Sequence, residues 1–148
     1  MIGPKVFTAP VAMRPDVTPI THAVVRYLFL GPAAGPATVH FCEEMICACG
    51  PKARTGCGRT LAQLDLAHAV ESLAKPTLVI AGELDRLTPP VHARRLVERL
   101  PDCAGYVELD RVGHMGPLEA PAAIAVEIRG LASGRVPHRT AAATSKIV

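Results

Sequence analysis

Residues 75–90 read K-P-T-L-V-I-A-G-E-L-D-R-L-T-P-P. The run at 77–81 is continuously apolar or β-branched and ends at a glycine, a pattern typical of a strand buried on both faces of a parallel sheet. Asp85 follows this strand directly. Thr88 is a good N-cap residue and Pro89 suits the first helical position. The stretch therefore predicts a strand, a loop that carries an acid, and a helix.

A second strand at 106–109 and a last helix at about 121–131 complete a strand-helix-strand-helix unit. His114 comes just past the second strand, as Asp85 comes just past the first. In open α/β sheets the carboxyl ends of parallel strands form the ligand-binding edge, so we expect the acid and the imidazole to meet at one site. The two helices are expected to bury these apolar side chains: Leu96, Val97, Leu100, Ile124, Ile128 and Leu131.

These two places also carry a family resemblance. The pattern strand-G-x-x-D-x-x-T-P at 77–89 is followed by G-H-M-G-P-L-E-A-P at 113–121. Together they resemble the last two core strands of the α/β-hydrolase fold, in the esterase, lipase and peptidase-like branch with a helical cap. The resemblance implies an α/β class and a partial α/β-hydrolase fold, in which a helical cap segment precedes the last two parallel strands and their helices. It also implies that no cofactor is needed.

The resemblance assigns Asp85 as the acid of a catalytic triad and His114 as its base. In such a triad the carboxylate accepts a hydrogen bond from one ring nitrogen, fixes the tautomer and stabilises the imidazolium that forms during the reaction. Gly113 is expected to give the backbone freedom to aim the ring. Glu119 is expected to anchor the following helix, where a helix N-terminus favours a negative side chain.

The sequence departs from the family at the nucleophile. Hydrolases of this fold carry their serine in a G-x-S-x-G turn upstream of the acid and the histidine, and no such motif occurs here. The only serines are Ser72, Ser133 and Ser145. The first lies in a helical pattern and the others follow the histidine. The sequence also lacks the earlier strands and the loop that would donate oxyanion-hole amides, so we expect a truncated hydrolase that is inactive alone.

Two kinds of partner fit a truncated hydrolase. One is an N-terminal hydrolase half that restores the site for a small ester or amide substrate, and the other is a second copy of the chain through self-association. A non-enzymatic interaction module is the alternative, in which the open sheet edge packs on another chain.

The cysteines leave two further alternatives open. Cys57 stands in G-C-G and precedes the acid and the histidine, so it is a candidate nucleophile, although its glycines flank it directly instead of two positions away. Cys42, Cys47, Cys49 and Cys57, with His40, could instead make a Cys-rich metal-binding protein. Their C-x4-C-x-C-x7-C spacing lacks the C-x2-C pairs of tetrahedral zinc sites. Cysteines on a helical apolar stripe are more often small core residues.

Composition limits the classes of function. The net charge is only +3 and aromatic residues make up 3%, so neither a basic nucleic-acid surface nor a stacking platform is expected. Residues 1–12 do not resemble a secretory signal and the apolar run at 23–30 is too short to span a bilayer. Five cysteines, an odd number, favour reduced thiols. These features predict a cytoplasmic protein.

The chain divides into four predicted segments. Residues 1–19 are rich in proline and are expected to form an extended arm, residues 20–73 a helical cap-like segment, residues 74–132 the α/β core segment, and residues 133–148 a flexible tail. Helices in the cap-like segment are expected at 20–30, 37–49 and 60–73. The histidines without an evident partner in the sequence are His22, His40, His68, His92 and His138.

Overall fold

A computed structural model describes residues 18–135, except for the side chains of Pro51 and Arg54. The predicted arm up to residue 17 and the tail from residue 136 lie outside the described residues. The elements, in chain order, are helices α1 (Pro19–Phe29), α2 (Pro36–Ala48), α3 (Pro51–Gln63) and α4 (Ala67–Glu71), strand β1 (Thr77–Gly82), helix α5 (Pro90–Arg99), strand β2 (Cys103–Leu109), and helices α6 (Gly116–Glu119) and α7 (Pro121–Ala132).

The helical segment has its own core between α1 and α2. Helix α1 begins at a capping box, because Thr18 accepts a hydrogen bond from the Thr21 amide and the Thr21 side chain accepts one from the Thr18 amide. The fully buried apolar residues of this core are Val25, Leu30, Val39 and Cys42. Met115, which follows the predicted catalytic histidine, packs against the same core. The cap-like segment is therefore joined by packing to the histidine loop.

The helix predicted at 60–73 is wrong as a single element. Helix α3 begins at Pro51, since a proline at the first helical position is compatible with a helix start. It ends at Gln63, and a second, short helix begins at Ala67. Between them Asp65 Oδ1 accepts a hydrogen bond from the Ala67 amide at 2.9 Å, and this local side-chain bond competes with helix continuation.

Strands β1 and β2 pair in parallel, with Leu78 opposite Gly105 and Gly82 opposite Leu109. Strand β2 starts three residues before its predicted range because the ladder continues through small residues that the pattern of β-branched side chains does not mark. The prediction that β1 is buried on both faces is wrong for the described residues, since its first five residues are only half-buried. A buried parallel strand needs a neighbour on each side and helices over both faces, and here the described sheet has two strands.

The predicted start of α5 is also wrong. Its N-cap is Pro89 and its first residue is Pro90, and the Thr88 hydroxyl donates to the Asp85 carboxylate instead of capping the helix. The apolar stripes that the sequence predicts to be buried on α5 and α7 are only partly covered. None of their six residues is buried, and Leu96 and Ile128 are 42% and 57% exposed. Both helices therefore present apolar surface that nothing among residues 18–135 covers. No helix in that range is long and apolar enough to cross a membrane.

Gly82, at the end of β1, lies directly against the backbone of the histidine loop. An added Cβ would lie 2.2 Å from the carbonyl oxygen of Gly113 and 2.6 Å from that of Val112. Because backbone atoms cannot move aside as a flexible side chain can, we expect Gly82→Ala to lower the free energy of unfolding by about 3 kcal/mol. Pulse proteolysis in urea measures this loss in dilute solution.

Gly56→Ala is the matched control, since nothing lies within 4 Å of a Cβ at that position on α3. It should leave stability unchanged or raise it by up to about 1 kcal/mol. An equal urea midpoint for the two variants would contradict the close packing of Gly82.

Candidate active site

Asp85 and His114 meet at the carboxyl ends of the two strands. His114 Nδ1 lies 2.9 Å from Asp85 Oδ2. The acid is almost buried, with 9% of its side chain exposed, whereas the imidazole keeps 32% exposed. Since an ionised carboxylate only accepts hydrogen bonds, Nδ1 is the donor in this contact, and in the neutral ring Nε2 is then the proton acceptor. Nε2 has no hydrogen-bond partner among residues 18–135.

The loop after β1 holds the Asp85 carboxylate in place. Oδ1 accepts hydrogen bonds from the amides of Leu87 and Thr88, both at 2.8 Å, and Oδ2 accepts one from the Thr88 hydroxyl at 2.7 Å. Burial raises the pKa of Asp85, but the hydrogen bonds from Thr88 and His114 outweigh it and hold this pKa below its ordinary value of 3.8. The acid therefore stays ionised over the whole range in which an imidazole gains and loses its proton.

His114 is held from the other side by the end of α1. Its amide and that of Met115 both donate to the carbonyl oxygen of Phe29, at 2.9 and 3.1 Å. The Phe29 ring meets the imidazole edge-on, with 6.2 Å between the ring centroids. The loop that carries Asp85 contacts the same helix. Arg86 in this loop donates a hydrogen bond to the Tyr27 carbonyl oxygen at 2.8 Å and lies over the Tyr27 ring. Sequence reasoning missed these contacts because they join residues far apart in the chain.

Two neighbours of His114 have roles other than those predicted. Gly113 does not adopt a positive φ, so it is not needed for backbone freedom. It is needed for close approach, because a Cβ there would lie 2.6 Å from the Gly31 nitrogen. Glu119 ends α6 instead of starting the following helix, and its carboxylate turns back to the amides of Gly31 and Gly113.

An open pocket of about 520 Å³ lies beside the acid and the histidine. The consecutive residues 79–82 of β1 all line it, and because alternate residues point to opposite faces, the pocket runs along the strand edge that faces away from β2. Leu96 and Ile124 from the flanking helices add apolar walls. The geometry thus presents a base and its orienting acid to an apolar space beside an unpaired strand edge.

The sequence matches a known family over most of its length. Residues 43–143 match the profile described as TAP-like protein. The chain belongs to the TAP-like family of α/β hydrolases. No curated protein sequence matches it.

Solved structures show the same fold for this TAP-like chain. An esterase from Thermogutta terrifontis matches with a TM-score of 0.71 and 18% identity, over 90% of this chain and 51% of its own. A bromoperoxidase from Bacillus anthracis gives 0.69 and 15%, over 87% and 48%, and a hydrolase from Pseudomonas aeruginosa PA01 gives 0.66 and 20%, over 86% and 48%. The fold is therefore a partial α/β-hydrolase fold, and the chain spans about half the length of these structures.

The cysteines of the TAP-like chain do not gather around one point. Cys42 is buried in the helical core, Cys47 and Cys49 are half-buried, and Cys57 is exposed on α3. Burial, followed by the negative charges of Glu119 and Glu43, raises the pKa of the Cys42 thiol to about 11. Residues 18–135 contain no group of three His, Cys, Asp or Glu side chains able to hold a metal ion. The described residues thus offer no support for the metal-binding alternative.

Among the other histidines of residues 18–135, His92 lines the pocket. His22 Nδ1 lies 2.8 Å from Oε1 of the buried Glu43. The contact lacks hydrogen-bond geometry, so this oxygen has no hydrogen-bond donor among the described residues. His40 and His68 face glutamates of their own helices, and His138 lies outside the described residues. None of the predicted candidates other than Asp85 and His114 joins the site.

Proposed function

We propose that this chain supplies the acid and the base of a serine-hydrolase active site, with Asp85 orienting His114 and His114 acting as the general base. The observation that carries the proposal is the 2.9 Å contact between His114 Nδ1 and Asp85 Oδ2 beside an open pocket. In this arrangement Nε2 takes the proton of a nucleophile and later returns it to the leaving group. The substrate class is small esters or amides.

The nucleophile and the oxyanion-hole amides come, in this proposal, from an N-terminal hydrolase segment outside this sequence. Three observations support an N-terminal hydrolase segment as the partner. The three matched structures are about twice as long as this chain, the edge of β1 away from β2 is unpaired among the described residues, and the acid and the histidine line the pocket along that edge. A serine turn on a strand added at this edge would enter the site from the free side of the imidazole.

The experiment mixes or co-expresses this chain with the N-terminal half of a TAP-like hydrolase that bears a G-x-S-x-G motif. The assay follows hydrolysis of p-nitrophenyl acetate. We expect turnover only when both parts are present, and none when the serine of the added half is replaced by alanine. Turnover by the added half alone, equal to that of the mixture, would contradict the proposal.

The isolated chain should not hydrolyse p-nitrophenyl esters faster than its own Asp85→Asn, His114→Ala double variant. An imidazole and a carboxylate without a nucleophile or an oxyanion hole have nothing to activate. Initial rates at equal protein concentration test this. Turnover that disappears only in Cys57→Ser or Cys57→Ala would overturn it and make the exposed thiol the nucleophile.

A further inference from the structure

The backbone at Gly31, just after α1, packs against the backbone of the histidine loop at Arg111 and Gly113. We call this contact the seam, and the carboxylate of Glu119 bridges it. Glu119 Oε2 accepts a hydrogen bond from the Gly31 amide at 2.6 Å, and Oε1 accepts one from the Gly113 amide at 3.0 Å. The two amides are 82 positions apart in the sequence, and Gly113 immediately precedes His114. A single side chain therefore fixes both sides of the seam on which the imidazole stands.

The seam leaves no room for a side chain at Gly31 or at Gly113. A Cβ at Gly31 would lie 2.1 Å from the Arg111 carbonyl oxygen, and one at Gly113 would lie 2.6 Å from the Gly31 nitrogen. Backbone contacts backbone here, so both amides must find an acceptor within the seam or lose hydrogen bonding on burial. Hydrogen bonds to a charged acceptor are roughly twice as strong as those between neutral groups.

We propose that Glu119 is the positioning residue for His114. By holding the Gly113 amide against Gly31, its carboxylate sets the backbone from which the imidazole projects, so that Nδ1 meets Asp85 and Nε2 faces the pocket. The Phe29 carbonyl oxygen also fixes this backbone, because it accepts a hydrogen bond from the His114 amide. Because Gly31 directly follows the C-cap of α1, the placement of the cap-like segment and the orientation of the base are coupled. The proposal rests on the role of His114 proposed above.

Glu119→Gln tests the proposal and Glu98→Gln is its matched control, since Glu98 is exposed on α5. Glutamine has nearly the shape of glutamate but offers one acceptor oxygen and an amide that cannot accept. Hydrogen–deuterium exchange of the full chain, read by mass spectrometry, reports backbone amides by segment. The exchange of the imidazole Cε1 hydrogen reports each histidine ring separately, and His68, whose side chain is fully exposed, is the internal reference.

In Glu119→Gln we expect amide exchange at 30–34 and at 111–116 to accelerate together, by roughly tenfold or more, because both lose a hydrogen bond to a charge. Ring exchange at His114 should accelerate relative to His68, and Glu98→Gln should change neither. Faster amide exchange with unchanged ring exchange at His114 would show that Glu119 only stabilises the fold, and no change at all would show that it does neither. Both outcomes contradict the proposal, and neither bears on the complementation result.

If Glu119→Gln unfolds, so that its amides exchange fast in every segment, the exchange rates of the unaltered chain test the proposal. Slow amide exchange at a common rate in segments 30–34 and 111–116, with the His114 ring slower than His68, supports the positioning role. Segment 111–116 exchanging as fast as an unstructured peptide overturns it.

Discussion

In an enzyme completed by an N-terminal hydrolase half, Asp85→Asn should lower kcat for p-nitrophenyl acetate by about 10⁴-fold. The amide cannot hold the proton on Nδ1, so Nε2 no longer faces the nucleophile as a free base. His114→Ala removes the base itself and should cost about 10⁴-fold or more. Initial rates at saturating substrate measure both losses.

Glu98→Gln is the control for these variants and should keep the activity of the unaltered mixture. The losses in kcat from Asp85→Asn and His114→Ala should not add in the double variant, because the acid acts only through the histidine. A double variant much slower than His114→Ala alone, or an Asp85→Asn enzyme within tenfold of the original, would contradict the assigned roles.

The isolated chain should associate with itself through the open edge of β1, with the packing around the acid and the histidine retained. Its half-buried β1 presents an unpaired edge, and the flanking helices leave large apolar side chains exposed: Val91, Leu96, Val126 and Ile128. Unpaired edges and contiguous apolar surface favour association with another chain. Sedimentation velocity and binding of a dye that fluoresces on apolar surface measure the two properties.

Addition of the N-terminal half should convert this material to a defined assembly that no longer binds the dye. A monodisperse monomer of the isolated chain, with a cooperative thermal transition and no dye binding, would contradict the open edge and favour a self-contained fold. Assembly without any hydrolysis, equally stable with Asp85→Asn, would instead favour the non-enzymatic interaction module.

The acid and the histidine could be placed from the sequence because each comes after a short predicted strand, at 77–81 and at 106–109. Parallel pairing of such strands brings their carboxyl ends together whatever the details of the helices. The start of α5 could not be placed in the same way. Threonine is a common N-cap residue, but the hydroxyl of Thr88 donates to the carboxylate of Asp85, three residues earlier. A local pattern does not show whether a hydroxyl accepts from a helix amide or donates to a nearby carboxylate.

The contacts that fix His114 were not predictable from local patterns. Glu119 joins amides at 31 and 113, and the sequence gives no sign of a bond between residues so far apart. Gly113 suggested conformational freedom, whereas its function is to let two backbones touch. The half-buried state of β1 was missed for a different reason. A continuous apolar run is typical of a strand with a neighbour on each side, whereas the sheet of the described residues has two strands.

Labelling with a fluorophosphonate probe tests the central claim most directly, because such probes react with an activated serine and ignore an unactivated one. Intact-mass spectrometry should show one adduct on the G-x-S-x-G serine of the added N-terminal half, formed only when this chain is present with both Asp85 and His114 unaltered. Labelling of that serine at the same rate without this chain, or with the His114→Ala variant in its place, would show that the acid–base pair does not activate the nucleophile.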